Sequence, residues 1–255
     1  MALIRFDDVT KVFRRGNGRG DLLAVDHLSF AVEPGEIVAV LGKTGCGKST
    51  MFNLIAGLIE PTSGKVAVSG HDPFRDFEFF RGKIGIVFQN DRLMPWRTAL
   101  ANVLLGLEIL GGDHAQSQAV AQRWLDRLGL SGHQNDYPHA LSGGMRQRIS
   151  LARAFAVEPD LLLCDEPFSA LDEMTARDLR AEFVRLVRQN GKTAVFITHH
   201  ISEAMEIGDR VLVCHRPARI AFEARMDEVA RGAGRQGIQD KILAVLSAEA
   251  AGGGA

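Results

Sequence analysis

Residues 42–50 read GKTGCGKST, preceded by the apolar run EIVAVL and followed by MFNLIAGL. The first run is apolar at consecutive positions, as in a strand buried on both faces, and the second suits a helix. Between them, Gly42, Gly47, Lys48 and Ser49 satisfy the pattern G-x-x-x-x-G-K-[ST]. In that context backbone N–H groups and the helix N-terminus can surround phosphate oxygens, while the lysine reaches the outer phosphates and the hydroxyl meets Mg²⁺. A glycine-rich turn with no ligand needs neither the lysine nor the serine. Strand, loop and helix in this order point to an α/β fold built around a phosphate-binding loop.

Composition narrows the partners. The 255 residues are 46% hydrophobic and 24% charged, enough for one substantial α/β domain. A net charge of −1 lacks the basic footprint needed to neutralise many nucleic-acid phosphates, so no nucleic-acid partner is expected. Cys46, Cys164 and Cys214 lie far apart, with neither metal-ligand spacing nor an even count, and are expected to be reduced thiols. The start, MALIRFDDVTKVFRRG, carries acidic residues where a secretory signal has an apolar core, and no stretch approaches the ~18 apolar residues of a membrane span. The expected location is cytoplasmic, with any membrane role exercised through a partner.

LIRFDDV and LLAVDHLSFAV alternate apolar and polar positions and predict a small antiparallel sheet. PTSGKVAVSG predicts a turn and an edge strand, and KIGIVFQ a short buried strand. From Ala99 to Leu130 the period becomes helical, in LANVLLGLEIL and AVAQRWLDRLGL, with GGDHAQSQ expected as the loop between. LSGGMRQRISLARAFAVEP opens on a capping serine and closes at a proline, the marks of one helix with a glycine-rich entrance. The strands PDLLLCDEP, TAVFITHH and RVLVC, with helices around ARDLRAEFVRLVRQNG and ISEAMEIG, restore βα alternation and predict a largely parallel sheet. From about Met226 the chain is rich in Ala and Gly and predicts a weak helix within a partly disordered tail over 226–255.

LLLCDEP ends a strand in two carboxylates, placing Asp165 to bind a Mg²⁺ shell and Glu166 to polarise an attacking water. Taken alone, such a pair also suits a solvated turn. LSGGMRQR at 141–148 sets Ser142 and the N–H groups of Gly143 and Gly144 at a helix entrance, a second anion site in a chain that already has a phosphate loop. A second site makes sense if it serves the nucleotide of another copy. With these motifs in this order, the chain resembles the nucleotide-binding subunit of an ABC transporter over nearly its whole length up to the tail. The resemblance implies an α/β fold with a P-loop NTPase (RecA-like) core, an antiparallel β subdomain and an inserted α-helical subdomain, about 91–150, that carries the signature motif. The whole domain would span 3–225.

The resemblance also implies roles. ATP would be cradled by Gly42, Lys43, Thr44, Gly45, Cys46, Gly47, Lys48, Ser49 and Thr50, with Mg²⁺ held by Ser49, Gln89 and Asp165. Phe13, in VTKVF, falls where the family stacks an aromatic on adenine, although a core phenylalanine is the plain reading of that residue alone. Glu166, the switch histidine His199 of FITHH, and Gln89 would be the catalytic groups. Ser142, Gly143, Gly144 and Met145 would meet the ATP of the second copy, and Asp172, last of SALD, lies in the loop that crosses the dimer interface. Lys43 and Thr44 stand where Pro-Ser is frequent, Met145 where glutamine is usual, and His200 where an aspartate often follows the histidine.

VFQNDRLMPWRTALANV, with Leu93, Pro95 and Trp96 soon after Gln89, looks like the nitrate/sulfonate/taurine importer branch. The implied function is ATP hydrolysis that energises uptake of a small anionic or sulfonate-like solute through integral membrane permease subunits. A substrate-binding protein would be an indirect partner, and the chain would sit peripherally at the cytoplasmic face of the inner membrane. Two copies would close head to tail around two ATP molecules. The rival reading is a soluble ABC-type ATPase clamp outside transport, which should not need an exposed apolar LMPW loop.

Overall fold

The computed structural model describes residues 2–15, 20–229 and 234–252. In chain order the elements are β1 (Ile4–Phe13), β2 (Leu22–Val32), β3 (Ile37–Gly42), α1 (Lys48–Ile55), β4 (Ser63–Val68), β5 (Ile84–Val87), α2 (Ala99–Ile109), α3 (His114–Arg127), α4 (Gly143–Ala156), β6 (Leu161–Asp165), α5 (Glu173–Gln189), β7 (Thr193–Thr198), α6 (Ile201–Ile207), β8 (Arg210–His215), β9 (Arg219–Arg225), α7 (Met226–Val229) and α8 (Gly234–Gly252). They fall into two compact units, Met1–Phe79 with Thr193–Ala255, and Phe80–Lys192. Of the tail predicted over 226–255, residues 230–233 and 253–255 lie outside the described residues.

In the first unit β2, β1 and β4 form an antiparallel sheet in that order, with β4 at an edge as its turn-flanked run predicts. Phe6 and Phe30 face each other across the strands with rings stacked 4.6 Å apart. β3 pairs in parallel with β7 on one side and β8 on the other, and all of its residues are buried. That two-sided burial is why its sequence is apolar throughout instead of alternating. β9, which the sequence reading does not anticipate, folds back antiparallel on β8. Exposed Arg219, Ala221 and Glu223 alternate there with half-buried Ile220 and Phe222, an edge pattern that a charged, short run hides. α8 sends Ile242 into a cluster with Ala39, Leu41, Ala204, Val211 and Val213.

Near the start of β3, Arg210 is 7% exposed and Glu36 8%. Arg210 donates to both Glu36 oxygens, at 2.7 and 3.0 Å, to Glu223 at 3.0 Å and to the Ala31 carbonyl. Burial alone would lower the guanidinium pKa, yet the hydrogen bonds to Glu36 and Glu223 leave it raised. Arg210→Met strands the buried Glu36 carboxylate and should destabilise the fold by about 3–5 kcal/mol in denaturant titration. A loss under about 1 kcal/mol would mean that the pair is solvent-screened like a surface bridge.

In the second unit β5 and β6 pair in parallel. Trp124, Phe155, Phe168 and Phe183 form a chain of ring contacts with centroids 5.1–6.4 Å apart. α3 begins at His114, inside the predicted loop, because Asp113 accepts from the Gln116 amide at 2.9 Å and caps the helix. α4 runs over Gly143–Ala156 with Ser142 as its N-cap, as the capping serine predicts.

Candidate functional site

β3 ends at Gly42 and α1 begins at Lys48, so the loop between them is short and its backbone is sharply constrained. Gly47 has φ 110, and a Cβ there would lie 2.4 Å from the Ala24 carbonyl oxygen. A Cβ on Gly42 would lie 2.7 Å from the Cys214 carbonyl oxygen and from Cys46 Sγ. The two glycines that define the motif are therefore required by close approach of backbone to backbone. α1 has neither a side-chain cap nor an acidic residue in its first turn, which leaves its positive end for an anion. Lys48 is 6% exposed, and its Nζ donates to the carbonyls of Gly42 at 2.6 Å and Lys43 at 3.0 Å. The ammonium is thus folded back over the loop. Lys43, Thr44, Gly45 and Ser49 are exposed, Thr50 is half-buried and Cys46 buried.

Parallel register decides what stands beside this loop. Leu41 pairs with Thr198, so Gly42 and His199 leave neighbouring strands at the same end. His199 is exposed, with its ring 4.0 Å from that of His200. The His200 amide donates to Thr198 Oγ1 at 3.0 Å, and that hydroxyl donates to Glu203 Oε2 at 2.6 Å. This network secures the turn from β7 into α6 without the aspartate that is usual at position 200. Phe13 lies at the end of β1, paired with Leu22, at the border of exposure, with Lys11 Nζ 5.2 Å from its ring centroid.

The second unit repeats the arrangement. Val87 pairs with Cys164, so Gln89 and the Asp165-Glu166 pair leave neighbouring parallel strands at one end. Gln89 is exposed and both carboxylates are half-buried. Glu166 holds the left-handed φ of 46, rare for a residue with a side chain, and its carbonyl accepts from the Ser169 amide at 3.2 Å and hydroxyl at 3.0 Å. Burial pushes the Cys164 thiol far above its usual range, consistent with a packing role. At the start of α4 the Ser142 hydroxyl accepts from the Met145 amide at 3.2 Å and keeps its own proton for another acceptor. A Cβ on Gly144 would lie 2.8 Å from Thr175 Cγ2, so a side chain there would have to displace that methyl. α4 likewise has no acidic residue in its first turn.

Residues 25–169 match the family described as ABC transporter. The chain is 38% identical over 225 residues to an uncharacterized ABC transporter ATP-binding protein of Methanocaldococcus jannaschii, covering 88% of this chain and 82% of the relative. The chain belongs to the ABC transporter family. A taurine import ATP-binding protein of Rhizobium johnstonii is 39% identical over 90% of this chain and 86% of its own. A nitrate import ATP-binding protein of Synechococcus elongatus is 39% identical over 81% of this chain, which spans only 31% of that relative. A dimeric post-hydrolysis ATP-binding cassette bound to ADP and Pi superposes with a TM-score of 0.76 at 32% identity, over 88% of this chain and 98% of the other.

For this ABC transporter ATPase the oxygen donors suit Mg²⁺. Ser49 offers an exposed hydroxyl and Asp165 a half-buried carboxylate, both hard ligands. Among the described residues no group of three or more His, Cys, Asp or Glu forms a cage for a metal. Oxygen donors of this kind are the ones Mg²⁺ takes, together with waters and phosphate oxygens. Asp172 acts locally as the cap of α5, accepting from the Thr175 amide at 3.0 Å, and that hydrogen bond holds its carboxyl below the usual range.

Residues that motif reading passes over in this ABC ATPase organise the loop after Gln89. Asn102, fully buried in α2, accepts from the Met94 amide at 2.7 Å and donates to the carbonyls of Met94, Arg97 and Thr98 at 3.0–3.2 Å. The loop is therefore stapled from within, while Trp96 at its tip is 72% exposed. A lone asparagine in the apolar run LANVLLGL is the signal that could have found it, since a buried amide needs partners.

Proposed function

We propose that the chain is the ATP-hydrolysing subunit of an importer, with integral membrane permease subunits as its partners and a small anionic or sulfonate-like solute as cargo. Trp96 carries this reading: a large indole held in water by a rigid loop is matched to a partner surface. The import names borne by the taurine, nitrate and sulfate/thiosulfate relatives support it. No helix among the described residues is long and apolar enough to cross a membrane, so a path for solute would belong to other subunits.

In this reading two copies enclose two ATP molecules. Each triphosphate lies in the Gly42–Thr50 cradle of one copy and meets Ser142, Gly143, Gly144 and Met145 of the other, while Phe13 stacks on adenine. Ser49, Asp165 and Gln89 would hold Mg²⁺, which would supply positive charge against the phosphates. Glu166 accepts the proton of the attacking water, and His199 orients that water against the outer phosphate. ATP drives closure only so far as it binds the closed pair better than the open one.

Trp96→Ala should uncouple the subunit, with solute uptake in cells falling about 30-fold while ATP hydrolysis continues, as for loss of an interface hot spot. Uptake at the wild-type rate would place the permease contact elsewhere and favour a soluble ATPase clamp.

A further inference from the structure

Two arginines of α4 fasten the loop that leaves β5 at Gln89. Arg146 Nε donates to Asp91 Oδ2 at 2.9 Å, and its Nη1 donates to the Leu141 carbonyl at 2.8 Å. Leu141 directly precedes Ser142, so one guanidinium spans the chain entering the signature turn and the chain leaving Gln89. Two turns further along, Arg153 donates to the carbonyls of Asp91 at 2.7 Å and Arg92 at 2.9 Å. Asp91 Oδ1 accepts from the Leu93 amide at 3.1 Å, so the carboxylate is held from both sides. The Arg146 and Asp91 side chains are 35% and 27% exposed, which shields the pair from full solvent screening.

α4 does not need Arg146 in order to form, because Ser142 caps it and its other residues pack it. What the planar fork adds is a simultaneous grip on two acceptors from segments 50 residues apart in sequence, Asp91 and Leu141, a grip that a lysine ammonium on a flexible stem reproduces poorly. We propose that Arg146 is a positioning residue that locks the signature turn to the loop after Gln89, so that Ser142–Gly144 and Trp96 shift as one body when nucleotide binds. This rests on the reading that Ser142–Gly144 contact the nucleotide of a second copy. Arg153 and Asn102 complete the clamp, one at each end of the loop.

The test is a double-mutant cycle in the full chain with Asp91→Asn, Arg146→Gln and the two combined, together with Arg146→Lys. ATPase kcat, ATP affinity and amide hydrogen exchange over residues 91–98 are read for each. Cooperative thermal melting confirms that each variant is folded, and the near-isosteric Asp91→Asn keeps the cycle informative if Arg146→Gln is not. Each single change should lower kcat about tenfold with ATP affinity unchanged, and the pair should be no worse than the poorer single, because both remove one contact. Arg146→Lys should share the loss, and exchange over 91–98 should accelerate in all four. Multiplying single effects, or exchange that stays at the wild-type rate, would overturn the lock itself. Faster exchange with wild-type kcat would instead show that the lock exists but that Ser142–Gly144 serve no nucleotide, which also overturns the proposal.

Discussion

Glu166→Gln should bind ATP as the wild type does and hydrolyse it about 10²–10⁴ times more slowly, the usual worth of a general base. The substitution is nearly isosteric and keeps the backbone contacts that hold residue 166 in place, namely the amide and hydroxyl of Ser169 on its carbonyl. What it removes is the ability to accept a proton. The left-handed φ of 46 at this position is a local cost of about 1 kcal/mol or more that the β6 turn sustains. Phosphate release measured at saturating ATP, beside equilibrium binding of a fluorescent ATP analogue, checks both halves. Hydrolysis at the wild-type rate would assign the base to another group.

Lys48→Ala should fail at an earlier step, weakening ATP binding itself by about 10–100-fold, the loss of one or two charge-assisted hydrogen bonds to phosphate. The ammonium is held over the cradle by the Gly42 and Lys43 carbonyls, so Lys48 is an ordered part of the loop. The neighbouring glycines cannot compensate, because their space is filled by Ala24, Ala218 and Cys214 and the loop cannot re-form around a missing side chain. Isothermal titration with ATP measures the effect directly. Wild-type affinity would mean that the loop is a structural turn and that the triphosphate binds elsewhere. The two variants together separate binding from chemistry: one keeps the complex and stops the reaction, the other prevents the complex.

The strand, loop and helix around Gly42–Lys48, the antiparallel pairing of β1 with β2, the edge position of β4 and the capped α4 were all legible in the amino-acid order. Each depends on local rules: the two-residue or 3.6-residue period of apolar positions, turn glycines, and a serine that takes the first free amides of a helix. β9 escaped that reading because an edge strand alternates charge with modest apolarity, and α3 began early because Asp113 capped it within a polar run. What the tertiary structure alone decided was long-range register. Pairing of Leu41 with Thr198 sets His199 beside Gly42, and pairing of Val87 with Cys164 sets Gln89 beside Asp165 and Glu166. The Arg146–Asp91 contact likewise joins residues 55 apart in sequence. No local pattern encodes such neighbours, since they arise only when whole faces are buried against one another and each buried polar group must find its partner in three dimensions.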